Sequence, residues 1–522
     1  MADLKKRYSL LVLFSFLFQF HSYAQSLSPG MVYDDLYRRH QLAGKLDPDI
    51  SFTIRPLYPF ALDFGELATS DHNFITGKEL LPSRDGKLSF KLLPLSFHQR
   101  YYTLPYNTRN DGSMIPAKGY QAVISPGVFM RYGPLSVQFK PEYTIAANEK
   151  FDGKAVLFST ADLPSRFGGS TYSQVSWGQS SIRLNFDPVS IGLSNENIWW
   201  GPGIQNSLLM SNSASGFKHL TLNTTRPVKT PVGSFEAQLI GGRLEGSGYN
   251  PSLSDDWRYL SALAFSYQPR WVPGLFLGMS RSFQTYRKDT GSGFDNWFPL
   301  FQAFQKTNTT EDSVRRDQLV SVFARWLFKE SKAEVYFEYG LNDHAFNFRD
   351  FLVAPEHARA YTLGFSKLVT IDADQDAYYQ VAAEVTHMEQ SIDRSIRDAG
   401  EWYTHYQVHH GYTNNGQVLG AGIGPGGNLQ SLQISRVRGI DRSGIQLERY
   451  EHNGDLANAF GYRQWIDLSI GVFADRNYKN FILSGKLQGI QSYNYLWNDG
   501  INGRDKKNRF NINLDLKLLY AF

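Results

Sequence analysis

The last thirteen residues constrain this chain more than any other stretch. Phe510, Ile512, Leu514, Leu516, Leu518, Tyr520 and Phe522 recur at every second position, while Asn511, Asn513, Asp515 and Lys517 begin the opposite set. In an extended strand, successive side chains point to opposite faces, so this period builds a ribbon greasy on one side and polar on the other. Seven large apolar residues on one face are more than a soluble sandwich needs, because about half that length already crosses its core. A strand of this length with one apolar face suits lipid outside and an aqueous or polar lumen inside.

The same alternation recurs at Ile182, Leu184 and Phe186 against Arg183, Asn185 and Asp187, and at Leu135, Val137 and Phe139 against Ser136, Gln138 and Lys140. It returns at Val335, Phe337 and Tyr339, at Tyr379, Val381, Ala383 and Val385, and at Ile466, Leu468, Ile470 and Val472. The polar faces carry charges and amides that a dry core would not accept unpaired. No apolar run after residue 24 approaches the ~18 residues of a transmembrane helix. The terminal strand, ending on Phe522, resembles the assembly signal of bacterial outer-membrane barrels. The expected fold is therefore all-β, a transmembrane antiparallel β-barrel. Aromatic residues at 15 % of the chain fit the girdles of such a wall.

Residues 1–24 read as a secretory leader, with Lys5, Lys6 and Arg7 before the apolar run Leu10–Phe20 and small residues ahead of Gln25. Residues 25–80 are expected to form a short N-terminal periplasmic segment, with helical spacing from Met31 to Leu42 and Gly44 as its stop. It could equally pack as a plug. Residues 81–522 are expected to form the barrel. At roughly 22–27 residues per strand and its loops, that length accommodates about 16 to 20 strands, and the arithmetic does not choose among 16, 18 and 20.

Several functions are excluded or disfavoured. The absence of cysteine removes disulfides, thiolate metal sites, a cysteine nucleophile and a lipid anchor through a modified cysteine. A net charge of +4 over 522 residues gives no ground for a nucleic-acid partner. Gly422–Gly427 satisfies the dinucleotide spacing, but Asn428–Ile434 alternates like a strand where that fingerprint needs a helix. Asp372, Asp374 and Asp376 have the spacing of a calcium loop, with Ala377 where glycine is required, and read as a hairpin turn. His387, His405, His409 and His410 belong to no HExxH motif, and no GxSxG elbow occurs. We expect no cofactor, no metal and no enzyme activity.

The most informative local stretch is Asn195–Gly203, with two adjacent tryptophans before Gly-Pro-Gly. On a strand the two rings would face opposite sides, one toward lipid or its girdle and one toward the lumen. The alternative use of such rings is to stack on sugars, with Glu196 and its flanking asparagines bonding hydroxyls. Ile198–Gly203, continuing through Leu208–Asn212 and Gly216–Leu222, resembles the signature block of the Wzi family of capsule assembly proteins. Arg109–Gly112 with Ala117–Gly119, Pro355–Tyr361, and Gly411–Gly416 through Gly424-Pro425 resemble further blocks of that family in order, although Lys218 replaces its usual proline.

The resemblance implies an eighteen-stranded outer-membrane barrel, occluded by inward loops, with a periplasmic helical part. It implies a lectin-like role, holding capsular or other exopolysaccharide at the cell surface, and no catalytic residues. From chemistry rather than motif, the candidate carbohydrate contacts are Trp199, Trp200, Glu196, His219, Arg359 and Tyr412. Expected partners are surface polysaccharide, outer-membrane lipid and the barrel-assembly machinery through the strand ending at Phe522. The rival expectation is a porin-type diffusion channel, since sixteen or more strands leave a lumen wide enough for water.

Overall fold

A computed structural model describes residues 25–58, 74–75, 77–82, 88–105, 109–151, 160–254, 256–301, 315–342, 358–391, 400–497 and 508–522. The leader at 1–24 and residues 355–357 of the Pro355–Tyr361 block lie outside the described residues. Among the described residues, eighteen antiparallel strands close into a barrel. They are β1 (Leu88–Tyr102), β2 (Gly119–Tyr132), β3 (Leu135–Phe139 continued by Glu142–Ala146), β4 (Tyr172–Ser176 continued by Ser181–Phe186), β5 (Val189–Ser194) and β6 (His219–Thr224 continued by Val228–Thr230). Next come β7 (Gly233–Leu244), β8 (Arg258–Pro269), β9 (Leu275–Tyr286), β10 (Asp317–Phe328), β11 (Ala333–Asn342) and β12 (Arg359–Asp372). The last six are β13 (Ala377–His387), β14 (Asn428–Arg438), β15 (Asp441–His452), β16 (Trp465–Tyr478), β17 (Phe481–Tyr493) and β18 (Arg509–Tyr520).

Each strand pairs with its sequence neighbours, and the seam joins β18 to β1 from Asn513↔Tyr102 to Tyr520↔Leu95. The short strand Lys78–Pro82 pairs with the lower part of β1, from Lys78↔Leu92 to Pro82↔Ser89, and so extends the seam edge. One end of the barrel has tight turns, such as 133–134, 187–188, 373–376, 439–440 and 479–480. The other end carries the long connections, including 195–218 and 388–427. Outer-membrane barrels keep short turns in the periplasm and long loops outside, which orients the molecule.

The period-two faces fall as their sequence requires. Phe510 is 62 % exposed and Asn511 3 %. Ile182, Leu184 and Phe186 are exposed on the outer wall while Arg183 is buried inside. The apolar side chains have lipid as their neighbour, which explains why they are exposed in an isolated chain. No helix among the described residues is long and apolar enough to cross a membrane.

The lumen departs from a simple wet channel. The helix α1 (Val32–Leu42) lies at the tight-turn end inside the barrel, and the segment around it fills that half of the lumen. Tyr33, Leu36 and Tyr37 pack with Ile440 of a tight turn, Ile482 at the start of β17 and Ala521 near the chain end, all at this opening. Several inward charges are therefore paired with protein. Glu334 on β11 receives Arg38 of α1 at 2.7 Å and Arg325 of β10 at 2.6 Å. Arg325 also donates to Gln41 Oε1 at 2.8 Å and to the Ser51 carbonyl at 3.0 Å. A buried carboxylate shared by two guanidiniums escapes the desolvation cost only if its donors stay in place, so wall and segment hold each other.

Candidate functional site

Two long connections fold into the lumen above α1 and make one apolar core with the wall. Trp200, Leu208, Leu209 and Met210 from the 195–218 connection pack with Trp402, Tyr403, Tyr412 and Leu419 from the 388–427 connection. The Tyr403 hydroxyl donates to the Leu208 carbonyl at 2.7 Å and accepts from the Ala421 N–H at 2.7 Å, tying the two together. Ser211 N–H donates to the Leu419 carbonyl at 2.8 Å.

The Trp-Trp-Gly-Pro-Gly stretch acquires a structural reason here. Trp199-Trp200 form a two-residue ladder with Ile54-Arg55, pairing the inward connection with the N-terminal segment. The chain then turns sharply against wall carboxylates. Ile204, Gln205 and Asn206 all donate backbone N–H groups to Glu384, and Leu208 N–H donates to Glu338. Gly201 holds φ of +103°, and a Cβ there would lie 2.8 Å from Glu338 Oε2. A Cβ at Gly203 would meet the Asn206 carbonyl at 1.8 Å. Only glycine allows so close an approach in such a conformation.

Four of the six candidate sugar contacts belong to this plug or its junction with the wall. Trp199 is buried with the Arg55 guanidinium 4.7 Å from its ring centroid, and it also borders a lumenal cavity. Trp200 is fully buried, its indole donating to Gln238 Oε1 at 2.9 Å. Tyr412 stacks on Tyr403 at 6.0 Å and 18°. Glu196 accepts from Arg183 Nη2 at 2.6 Å, from the Ser194 hydroxyl at 2.8 Å, and from the Ser26 hydroxyl of the N-terminal segment. Burial pushes the Glu196 carboxyl up, but Arg183 beside it and the hydroxyl donors hold it below the usual carboxylate range. His219, on the inner wall, is buried with Nδ1 2.8 Å from the Phe217 carbonyl. Arg359 stands apart. Its neighbour Ala360 faces the core, so Arg359 points outward, 5.8 Å from the Tyr361 ring.

The histidines do not converge. His410 is buried against the Tyr286 hydroxyl at 2.9 Å, His405 Nδ1 accepts from the Gln407 and Val408 N–H groups, and His387 meets the Tyr361 ring edge at 5.2 Å. Burial first, then the nearby Arg258 charge, pushes His410 down to about 4. Among the described residues no group of three or more His, Cys, Asp or Glu side chains is placed to hold a metal ion.

The open surface lies elsewhere, at the long-loop end. A cleft of about 890 Å³ is lined by the half-buried Trp497 and Gln417, with Tyr450, His452, Asn453 and Trp465 buried behind them. His452 stacks on Trp465 at 3.6 Å and 8°, and Trp497 meets Trp465 edge-on at 5.1 Å. Asp467 fixes this stack, taking Trp465 Nε1 at 2.9 Å and facing His452 Nε2 at 2.8 Å. Under it, Arg109 reaches both oxygens of Glu448 at 2.8 Å, and Gly112 N–H donates to the Asn212 carbonyl at 2.9 Å. The Arg109–Gly112 block thus separates the cleft from a lumenal cavity of about 1350 Å³ that Arg109, Trp199 and Lys486 border. No local pattern in the sequence marks this cleft. Trp465 opens β16 and Trp497 follows β17, positions where girdle aromatics also occur.

A lipid-facing wall with a protein-filled lumen defines an occluded outer-membrane β-barrel. The sequence matches the family described as Capsule assembly protein Wzi over residues 108–453, two thirds of the chain. The chain belongs to that family. Among solved structures, the fold is similar to that of Wzi from Escherichia coli, described as an outer-membrane protein involved in group 1 capsule assembly and a carbohydrate-binding β-barrel. That likeness has 12 % identity, covers 96 % of this chain and 100 % of the other, and has a TM-score of 0.66. OccK7 (OpdD) of Pseudomonas aeruginosa gives 10 % identity, 82 % and 98 % coverage and a TM-score of 0.39. A BenF-like porin from Pseudomonas fluorescens Pf-5 gives 8 % identity, 83 % and 99 % coverage and a TM-score of 0.37. None of the curated proteins matches the sequence significantly.

Proposed function

We propose that this protein binds capsular or other surface polysaccharide at the outside of the cell, as a lectin without turnover, and that the sugar chain lies in the Tyr450–Trp465–Trp497 cleft. The observation that carries the reading is this cleft on a plugged barrel: the half-buried Trp497 ring, held edge-on by the buried His452–Trp465 stack at the end that meets the medium, can take the C–H face of a sugar. Family membership and the carbohydrate binding described for the Escherichia coli protein support it. In this reading Glu196, Trp199, Trp200 and Tyr412 serve recognition at one remove, by holding the inward connections that shape the cleft floor. His219 braces the wall beside them, and Arg359 lies on the outer face. The strand ending at Phe522 is the segment that the barrel-assembly machinery would engage.

Co-sedimentation of the folded protein with polysaccharide from its own organism tests the proposal. Retention should fall about tenfold with Trp497→Ala, in line with a lost stacking contact of about 1 kcal/mol and its buried area. Absence of binding by folded wild-type protein, or undiminished binding by the variant, would remove the cleft from consideration.

A further inference from the structure

The connection leaving β9 behaves unlike the two that turn inward. On β9 the even-numbered residues face the lumen: Phe276 lies 5.6 Å from the buried Arg325 guanidinium, and Gln284 bonds Arg258 and Asp317. The odd-numbered residues Leu277, Met279, Arg281 and Phe283 therefore face out. Arg281 pairs in register with Leu263 and Val320 on the neighbouring strands. It stands six residues above Leu275, whose partner across the ladder is the exposed Trp326. At ~3.3 Å per residue and a tilt near 40°, Arg281 lies about 15 Å up an apolar band ~25 Å tall. A guanidinium bare to lipid at that height is strongly disfavoured.

Arg281 is not bare. It is only 3 % exposed, stacks on Phe283 at 4.7 Å, and donates through Nη1 to the Leu300 carbonyl at 3.0 Å. The connection must then descend the outside of the wall to cover it. Tyr259, also outward-facing, confirms the path: its hydroxyl donates to the Trp297 carbonyl at 3.0 Å and its ring meets the Trp297 ring edge-on at 4.7 Å. Arg287–Phe301 is thus an external strap. Its far side presents Phe294, 65 % exposed, and Phe301, 63 % exposed, with rings near-parallel at 6.3 Å and 11°, and Phe298 5.2 Å from Phe294. At its upper end Arg287 is exposed beside Trp297.

We propose that this strap is a lipid-binding site on the outer wall, taking acyl chains of outer-leaflet lipid on Phe294, Phe298 and Phe301 and a lipid phosphate on Arg287. The position of the strap names its occupant. Leu300 is pinned to a residue about 10 Å below the upper edge of the apolar band, so the adjoining Phe301 ring lies within the acyl layer. Arg287, six residues above Arg281, comes out about 5 Å beyond that edge, at head-group height, where arginine favours phosphate.

The chain contains no cysteine, so a single nitroxide label can be placed without background. Labels at Phe301→Cys, at lipid-facing Val322→Cys and at loop-exposed Tyr406→Cys would be compared in vesicles of phosphatidylcholine with phosphorylated lipid A. The proposal expects the Phe301 label to collide several-fold more with oxygen than with a water-soluble nickel chelate, as at Val322. Preference for nickel, as at Tyr406, overturns it. Shielding from both reagents together with a dimeric mass also overturns it, since a second copy would then cover the face. Retention of phosphorylated lipid A through detergent exchange, read by native mass spectrometry, should fall at least threefold in Arg287→Gln with the Phe301 label depth unchanged. Equal retention would overturn the phosphate contact.

Discussion

Replacing Glu196 by alanine should unlatch the plug. The carboxylate joins three parts of the molecule: Arg183 on the inner wall, Ser194 at the root of the inward connection, and Ser26 of the N-terminal segment. Both members of the Arg183–Glu196 pair are at most 2 % exposed at the side chain. Removing one partner of such a pair costs about 3–5 kcal/mol, because the other charge stays buried without its counter-ion. Arg183 keeps Asn223 Oδ1 at 2.8 Å and the Tyr58 ring at 5.5 Å, which places the loss near the lower end, about 3 kcal/mol. At ~1.4 kcal/mol per decade, plug release becomes about 150 times more frequent. Planar-bilayer recording reads this directly, since the wild-type lumen is filled and the variant should show brief openings at a correspondingly higher rate. The double substitution Arg183→Met with Glu196→Leu leaves no buried charge and should return the trace toward wild type. An E196A barrel, folded by its heat-modifiable mobility, that is as quiet as wild type would refute the latch. A double variant as noisy as the single one would refute its electrostatic basis.

Three further outcomes follow from other contacts. Gly340→Ala should destabilise the barrel by about 1–3 kcal/mol, because the new Cβ would sit 2.6 Å from the buried Trp402 ring; urea unfolding in detergent measures it, and an unchanged midpoint contradicts the packing. Glu334→Ala should loosen the N-terminal segment by about 3–5 kcal/mol and expose it to protease, leaving Arg38 and Arg325 without their shared acceptor; wild-type protease resistance would dismiss that role. His410 has its folded pKa depressed from 6.5 to about 4, so a released loop binds the proton first. Packing of the 388–427 connection should therefore be insensitive to pH above about 6.5 and weaken steadily from there down to about 4. Proteolysis rates across that window should lose their slope in His410→Gln, and a retained slope would assign the effect to another group.

The wall was legible in the sequence and the plug was not, for a physical reason. An outward residue such as Ile512 or Val335 needs only lipid, so its requirement is written in its own strand as period two. An inward residue needs a particular partner, and those partners are remote: Arg38 meets Glu334 across 296 residues and Ser26 meets Glu196 across 170. The helix at Val32–Leu42 was readable from spacing, while its place inside the barrel depended on such remote pairs. The two tryptophans were legible as unusual. Their rings do part, Trp200 to Gln238 of the wall and Trp199 to the lumenal cavity, but the two-residue ladder with Ile54-Arg55 lies within the plug, so neither side is lipid. Trp465 and Trp497 gave no signal because they come together only when β16 and the end of β17 are neighbours.

The junction of β1 with β18 sets a schedule for assembly. The cylinder cannot be completed before its final strand is available, yet one segment lodged within it precedes every one of its eighteen staves. Glu236 and Glu334, which accept from the Ser51 N–H and from Arg38, and Arg325, which donates to Gln41, sit on staves near the middle of the chain. A half-formed curved sheet already displays those groups to the segment they will enclose. The interior can thus be laid down on the growing sheet and sealed in last, with the seam as the final stitch.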